Sequence, residues 1–381
     1  MMLLRASVAW HVFDLSGSAF LLGLIGIVQF VPALLLTLVG GALADSFDRR
    51  RILLLAQLPP MACAVLLYTS TTHGSVTLPL LYAVVFTVAV TNAFDSPARA
   101  AFLPTLVGRE DFARAVPFAS TTQALAFVTG PALGGILIAA AGIAAAYALY
   151  GALIVAAFGL LTTVRARETS PERRALSVRA IRDALGFVRR SPVILGCMSL
   201  DMFAVIFGGA TALLPIYANQ ILDVGPRGFG LLSASLEAGS LLMAFLLLAR
   251  RRPVRRAGRA LFLAVGVYGL ATIVFGLSRS FPLSLAAYAV AGMADQVSVV
   301  MRQTAVQLAT PDALRGRVSA VNMIFINASN QLGAAESGFV AALTNATFAV
   351  VSGGIACLVV LAIIAWRLPE LRAYRTPIEA R

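Results

Sequence analysis

Four carboxylates, Asp201, Glu237, Asp295 and Glu336, stand inside long apolar runs of this 381-residue chain. An ionisable group in such surroundings is costly unless it is paired, protonated or reached by water, so it marks an ion or substrate path by default. The chemistry open to such an acid is reversible proton binding, with attraction of a cationic ligand when it is charged. A purely structural ion pair is the alternative reading for each. Asp295 and Arg302 lie two helical turns apart, a spacing that does not place them in direct contact.

The remaining reactive residues point away from covalent or metal chemistry. The only histidines, His11 and His73, have no partners at metal or triad spacing. There is no lysine to act as a base, and no glycine-rich loop with lysine to cradle a phosphate. Cys63, Cys197 and Cys357 fall singly in apolar runs and read as small core residues. The expectation is therefore no catalytic residue, no metal, no cofactor and no enzymatic activity.

The elements that position the acids follow from composition. With 59% hydrophobic and 12% charged residues and a mean hydropathy of +0.88, a soluble domain would expose more apolar surface than water tolerates. A hydrocarbon core of about 30 Å takes roughly 20 apolar residues per helical span. Spans are expected near 19–43, 52–70, 76–94, 115–141, 143–164, 193–217, 229–249, 260–277, 281–300, 318–343 and 347–366. The predicted class is an all-α polytopic membrane protein.

Arginines set the predicted orientation, because basic residues near span ends are retained on the cytoplasmic side. They crowd at Arg49–Arg51, between Arg165 and Arg190, and between Arg250 and Arg259, while Arg227 and Arg279 stand in the intervening loops. This places the central loop and the C-terminus in the cytoplasm, with the protein in the cell inner membrane. The net charge of +13 is divided among loops rather than gathered in one stripe, which argues against a nucleic-acid partner.

The halves of the chain resemble each other. Asp14-Leu-Ser-Gly-Ser-Ala-Phe20 parallels Asp223-Val-Gly-Pro-Arg-Gly-Phe229, and Gly130-Pro-Ala-Leu-Gly-Gly135 parallels Gly333-Ala-Ala-Glu-Ser-Gly338. Two six-helix bundles are expected, at 1–164 and 191–367, joined by an arginine-rich cytoplasmic linker at 165–190 and followed by a tail at 368–381. The apolar run before Asp14 is shorter than the one before Asp223, so the first helix reads as truncated, by a start codon placed late or because the sequence is a fragment, with a short native helix that tilts or thins the bilayer as the alternative.

Two local motifs carry a family resemblance. Gly41-Ala-Leu-Ala-Asp45-Ser-Phe-Asp48-Arg49-Arg50-Arg51 resembles the loop signature between helices two and three of the major facilitator superfamily, with Ser46 and Asp48 departing from its usual basic residue and glycine. Gly130-Pro131-Ala-Leu-Gly134-Gly135 resembles the helix-five antiporter motif of that superfamily's exporters, although Pro117 and Ala126 stand where glycines are usual. Trp10 to Ala19 and Gln29-Phe-Val-Pro32 are similar to the branch that holds enterobactin exporters and macrolide efflux pumps.

The resemblance implies alternating access by two rocking bundles around a central small-molecule site. It implies a conformational gate formed by Asp45, Arg49 and Asp95. Small residues four apart at Gly130, Pro131, Gly134 and Gly135 would let helix backbones approach closely. The expected function is proton-coupled efflux of a hydrophobic drug-like or siderophore-like molecule by a monomer in the lipid bilayer. An importer of the same fold and a non-transporting membrane sensor remain the alternatives, and the basic residue that many proton-driven exporters carry in helix four is absent.

Overall fold

The computed structural model describes residues 1–107, 109–164, 185–250 and 254–374, with the side chains at 38, 42, 44, 45, 109, 113 and 313 outside that description. Among these residues there are helices and turns and no strand. The first half forms α1 (Met2–Ser16), α2 (Ala19–Ser46), α3 (Arg49–Thr72), α4 (Leu78–Leu106), α5 (Arg109–Ala141) and α6 (Ile143–Thr163). The second forms α7 (Pro192–Gly208), α8 (Gly225–Ala249), α9 (Ala257–Leu277), α10 (Phe281–Ala309), α11 (Asp312–Leu343), α12 (Ala346–Arg367) and the short α13 (Pro369–Ala373). Most of the expected linker, 165–184, and residues 375–381 of the expected tail lie outside the described residues.

Among the described residues ten helices are long and apolar enough to cross a membrane, and the chain is a multi-pass membrane protein. Eleven spans were expected. The one at 318–343 lies in α11, which has length to spare at 32 residues but is diluted by Asn322, Asn327, Asn330, Gln331 and Glu336. At 15 residues, α1 extends only about 22 Å. Large apolar side chains such as Phe118, Leu248 and Trp366 are exposed along the helices, as lipid-facing surface requires.

Local chemistry sets the helix boundaries. Gly17 closes α1 in the left-handed region at φ 61°, donating its N–H to the Phe13 carbonyl, which suits a residue without Cβ. Asp48 caps α3, its carboxylate accepting from the N–H groups of Arg50 at 2.8 Å and Arg51 at 3.3 Å. After α7 the chain passes through short turns at Thr211–Leu213, Leu214–Ile216 and Tyr217–Ile221, the last a π-turn. Asp223 at φ 51° and Gly225 at φ 60° then lead into α8.

The chain divides into two compact units. The first holds Met1–Gly17, Ile27–Leu176 and Gly225–Leu231; the second holds Ser18–Gly26, Ser177–Val224 and Leu232–Arg381. In the first, α3 packs on α4 and α6, and α1 packs on α4, α5 and α6. In the second, α9 packs on α10 and α12, and α7 packs on α10, α11 and α12. Six helices further along the chain, each neighbour relation recurs, so similar sequence halves have produced the same helix adjacency. The start of α2 belongs with the second unit and the start of α8 with the first.

Candidate transport site

In the second unit the four acids have different surroundings. Asp201 on α7 forms an ion pair with Arg302 on α10, and both side chains are almost withdrawn from solvent. One turn before Asp201, Cys197 is fully buried in the apolar cluster that also holds Met198, Leu200, Met301 and Cys357. A guanidinium in such a cluster is tolerable only with a counter-charge, and Asp201 supplies it. The partner of Arg302 is thus on a different helix from Asp295.

Glu237 on α8 and Asp295 on α10 sit where these two helices touch. A Cβ added at Gly239 would overlap the Ala289 carbonyl, and one at Gly292 would overlap the Leu236 carbonyl. Ser240 Oγ fastens the crossing by donating to the Gly292 carbonyl at 2.9 Å. Leu236 immediately precedes Glu237, and Gly292 lies one turn before Asp295, so the crossing brings the carboxylates close enough to act on each other electrostatically. Neither has a hydrogen-bond or ion-pair partner among the described residues.

Two tyrosines stand beside this pair. Tyr288, two turns before Asp295 on α10, has its hydroxyl 3.0 Å from Thr211 Oγ1. Tyr268 on α9, the helix packed against α10, donates to the Gly208 carbonyl at 3.0 Å. The result is a half-buried acidic pair with a hydroxyl-bearing wall, able to hold a proton or a cation. Glu336 lies on α11. Ser337 beside Glu336 donates at 2.7 Å to the Gly209 carbonyl.

In the first unit, the residues after α2 tie three helices together. Arg49 donates to the Ala101 carbonyl on α4 at 3.2 Å. Arg50 donates through Nε to the Leu161 carbonyl at 3.3 Å and through its terminal nitrogen to the Thr162 carbonyl, both at the end of α6. Asp95 is buried and takes a two-pronged bond from Arg99 one turn on, with nitrogen–oxygen distances of 2.9–3.1 Å. Asp45 lies in the last turn of α2, and its side chain is outside the described residues.

The α5 motif presents two packing faces. Gly130 and Gly134 lie against Met2, Leu3 and Ser7 of α1, while Gly135 meets Gly230 at the start of α8, within the same unit. A Cβ on Gly135 would stand 2.7 Å from the Gly230 Cα, and one on Gly230 would stand 2.7 Å from the Pro131 carbonyl oxygen. In the second unit, a Cβ on Gly23 at the start of α2 would stand 2.9 Å from the Gly338 Cα. Gly135 and Gly338 occupy matching places in the repeated sequence.

Sequence reasoning did not anticipate the Arg302 counter-charge, the Asp48 cap or the hydrogen bond of His11 Nδ1 with Tyr147 Oη at 2.9 Å. Asp48 had a visible signal, an acid at a helix start. The other two pairings join residues far apart in the chain and have no local signature. His73 bonds only within its own helix end, at 2.7 Å to the Thr69 carbonyl. No group of acids, histidines and cysteines with metal-binding geometry occurs among the described residues.

Two units of repeated helix adjacency, membrane-crossing helices and acids set within them define a polytopic transporter of the major facilitator type. The fold is shared with a bacterial homologue of the human lysosomal transporter Spinster in its inward-facing, occupied conformation, at a TM-score of 0.74 and 15% identity, covering 98% of this chain and 94% of that one. It is also shared with the nucleoside transporter NupG, at a TM-score of 0.72 and 12% identity over 98% of this chain and 96% of that one.

Residues 2–379 match the family described as transmembrane secretion effector, and the chain belongs to that family of major facilitator transporters. Among its relatives, the enterobactin exporter EntS of Citrobacter koseri is 27% identical over 366 residues, covering 95% of this chain and 84% of the relative. The enterobactin exporter EntS of Escherichia coli O1:K1 / APEC is 26% identical over 341 residues, 89% and 81% of the respective chains.

Proposed function

We propose that this transporter exports a hydrophobic, drug-like or siderophore-like small molecule by alternating access, driven by protons entering through the Glu237–Asp295 pair. The observation that carries the reading is that these two carboxylates lie at the close crossing of α8 and α10, in membrane-crossing helices of the second unit, without a cation partner among the described residues. Two acids so placed favour sharing a proton over both being charged, and gaining or losing it changes the charge at a helix crossing. Their relation to exporters of enterobactin supports the outward direction and an amphipathic cargo.

Within this reading Asp201 holds Arg302, and Glu336 is a second protonation or substrate site on α11. Asp45, Arg49 and Asp95 are assigned to a conformational latch, supported by the Arg49 bond to the end of α4. Gly130, Pro131, Gly134 and Gly135 are assigned to the sliding surface of α5, supported by its close approaches to α1 and α8. The arginine distribution supports a cytoplasmic C-terminus in the cell inner membrane, and the chain is taken to act as a monomer.

The test is accumulation of dyes and antibiotics in pump-deficient cells, with and without an uncoupler, for the unaltered chain and for Glu237→Gln and Asp295→Asn. Lowered accumulation that the uncoupler abolishes is expected for the unaltered chain. Each variant should retain exchange of labelled for unlabelled cargo in proteoliposomes while losing concentration of cargo against a gradient. Full uncoupler-sensitive export by both variants would overturn the assignment of the proton site.

A further inference from the structure

One half-buried cation in the first unit is left unexplained by the proton site. Arg5 lies on α1 in a stretch that is otherwise apolar from Met1 to Trp10, apart from Ser7. Its Nε is shielded from solvent and has no hydrogen-bond partner, and it makes no ion pair among the described residues. Neither Asp95 nor Asp14 supplies a partner. Asp95 is engaged by Arg99, and exposed Asp14 lies nine residues on, about 13 Å along the helix.

The packing of α1 shows which way Arg5 is turned. Leu3 and Ser7 meet α5 at Gly134, and His11 meets α6 at Tyr147. Most of the rest of the helix is buried, but Met1, Met2, Arg5 and Ala9 are only half-buried. Positions 1, 5 and 9 repeat every four residues and form one stripe. That stripe carries a single planar cation, with Met1 on one side, its sulfur 3.8 Å from the Tyr150 hydroxyl of α6, and Ala9 on the other.

We infer that Arg5 is the recognition point for an anionic group on the transported molecule, so that the cargo is an amphipathic organic anion bearing a carboxylate, sulfonate or ionised phenol. The guanidinium offers parallel N–H donors that match a pair of anionic oxygens. The cargo completes a charge pair that the described residues leave open on this helix. This deepens the export reading by naming the charge of what is carried, and it rests on that reading only for the direction of movement.

Binding in detergent tests it apart from direction and coupling. The purified protein, in micelles without phospholipid, is titrated with carboxyfluorescein and with rhodamine 123, an anion and a cation on the same ring frame, following tryptophan fluorescence in a Trp366→Phe background so that Trp10 alone reports. Arg5→Gln should weaken carboxyfluorescein binding about tenfold to a hundredfold, the range expected for losing a charge-assisted hydrogen bond, and leave rhodamine 123 binding unchanged. Arg5→Lys should fall between, and it serves as the variant of record if Arg5→Gln does not elute as a folded monodisperse protein.

Unchanged carboxyfluorescein binding in the variants, an equal loss for both dyes, or no saturable binding by the unaltered protein would overturn the inference. Displacement of the dye by equimolar phosphatidylglycerol would assign the site to a lipid headgroup and equally overturn it. Failure of proton-driven export alongside Arg5-dependent anion binding would instead sink the export reading alone.

Discussion

Asp201 and Arg302 neutralise each other across α7 and α10, deep in the apolar cluster of the second unit. The pair explains why a charged residue of each sign is tolerated there, and it separates Asp201 from the acids that lack a cation.

Breaking this pair from one side should be worse than removing it. Asp201→Asn leaves the guanidinium uncompensated and should destabilise the folded protein by about 3–5 kcal/mol, whereas Asp201→Asn combined with Arg302→Gln should recover most of that loss. Thermal unfolding of the detergent-purified variants reads the difference. A double variant no more stable than the single one would contradict the role assigned to the pair.

The Gly135–Gly230 and Gly23–Gly338 approaches leave no room for a side chain. Gly135→Val and Gly338→Val should therefore push the paired backbones apart, costing about 1–3 kcal/mol through overpacking. Because the two approaches recur at matching places in the repeat, the losses should be similar in size. Stability measurements on both variants check this, with Gly159→Val, whose Cβ would meet nothing within 4 Å, as the control.

Asp48 should matter to stability more than to transport. Asp48→Ala removes the cap from α3 and should cost about 1 kcal/mol, while Asp48→Asn, which keeps an acceptor oxygen, should restore most of it. Export by Asp48→Asn at the unaltered level would separate the cap from any charge-dependent latch at Asp45 and Arg49.

The membrane-spanning character of the chain was legible because lipid selects continuous apolar runs, and hydropathy reads those directly. It was less able to find helix ends. The span expected at 76–94 continues as helix to Leu106, because Asp95 and Arg99 one turn apart stabilise each other inside the helix where the apolar signal stops. The span expected at 193–217 loses its regular helix at Gly208, where two successive glycines remove the side chains that would favour its continuation. In the reverse sense, α11 is helical throughout, yet its amides and Glu336 put it below the hydropathy of a membrane span.

The acids themselves were legible as outliers in apolar sequence, but their partners were not. Arg302 could be seen near Asp295 in sequence, and only tertiary packing turns it toward Asp201 on another helix. The nearness of Glu237 to Asp295 depends on Gly239 and Gly292 letting α8 and α10 meet, a condition that neither helix reveals alone. Arg5 was visible as a single arginine and gained significance only once the described structure offered it no carboxylate.

The exchange of helix starts has a consequence for the chain as an inheritance of two copies. Ser18–Gly26 comes from the first half of the sequence and belongs with the second unit, and Gly225–Leu231 does the reverse. Severing the connection between the halves would therefore not release two self-sufficient modules. The pieces would behave as complementing fragments, each incomplete until it recovers the stretch that the other carries.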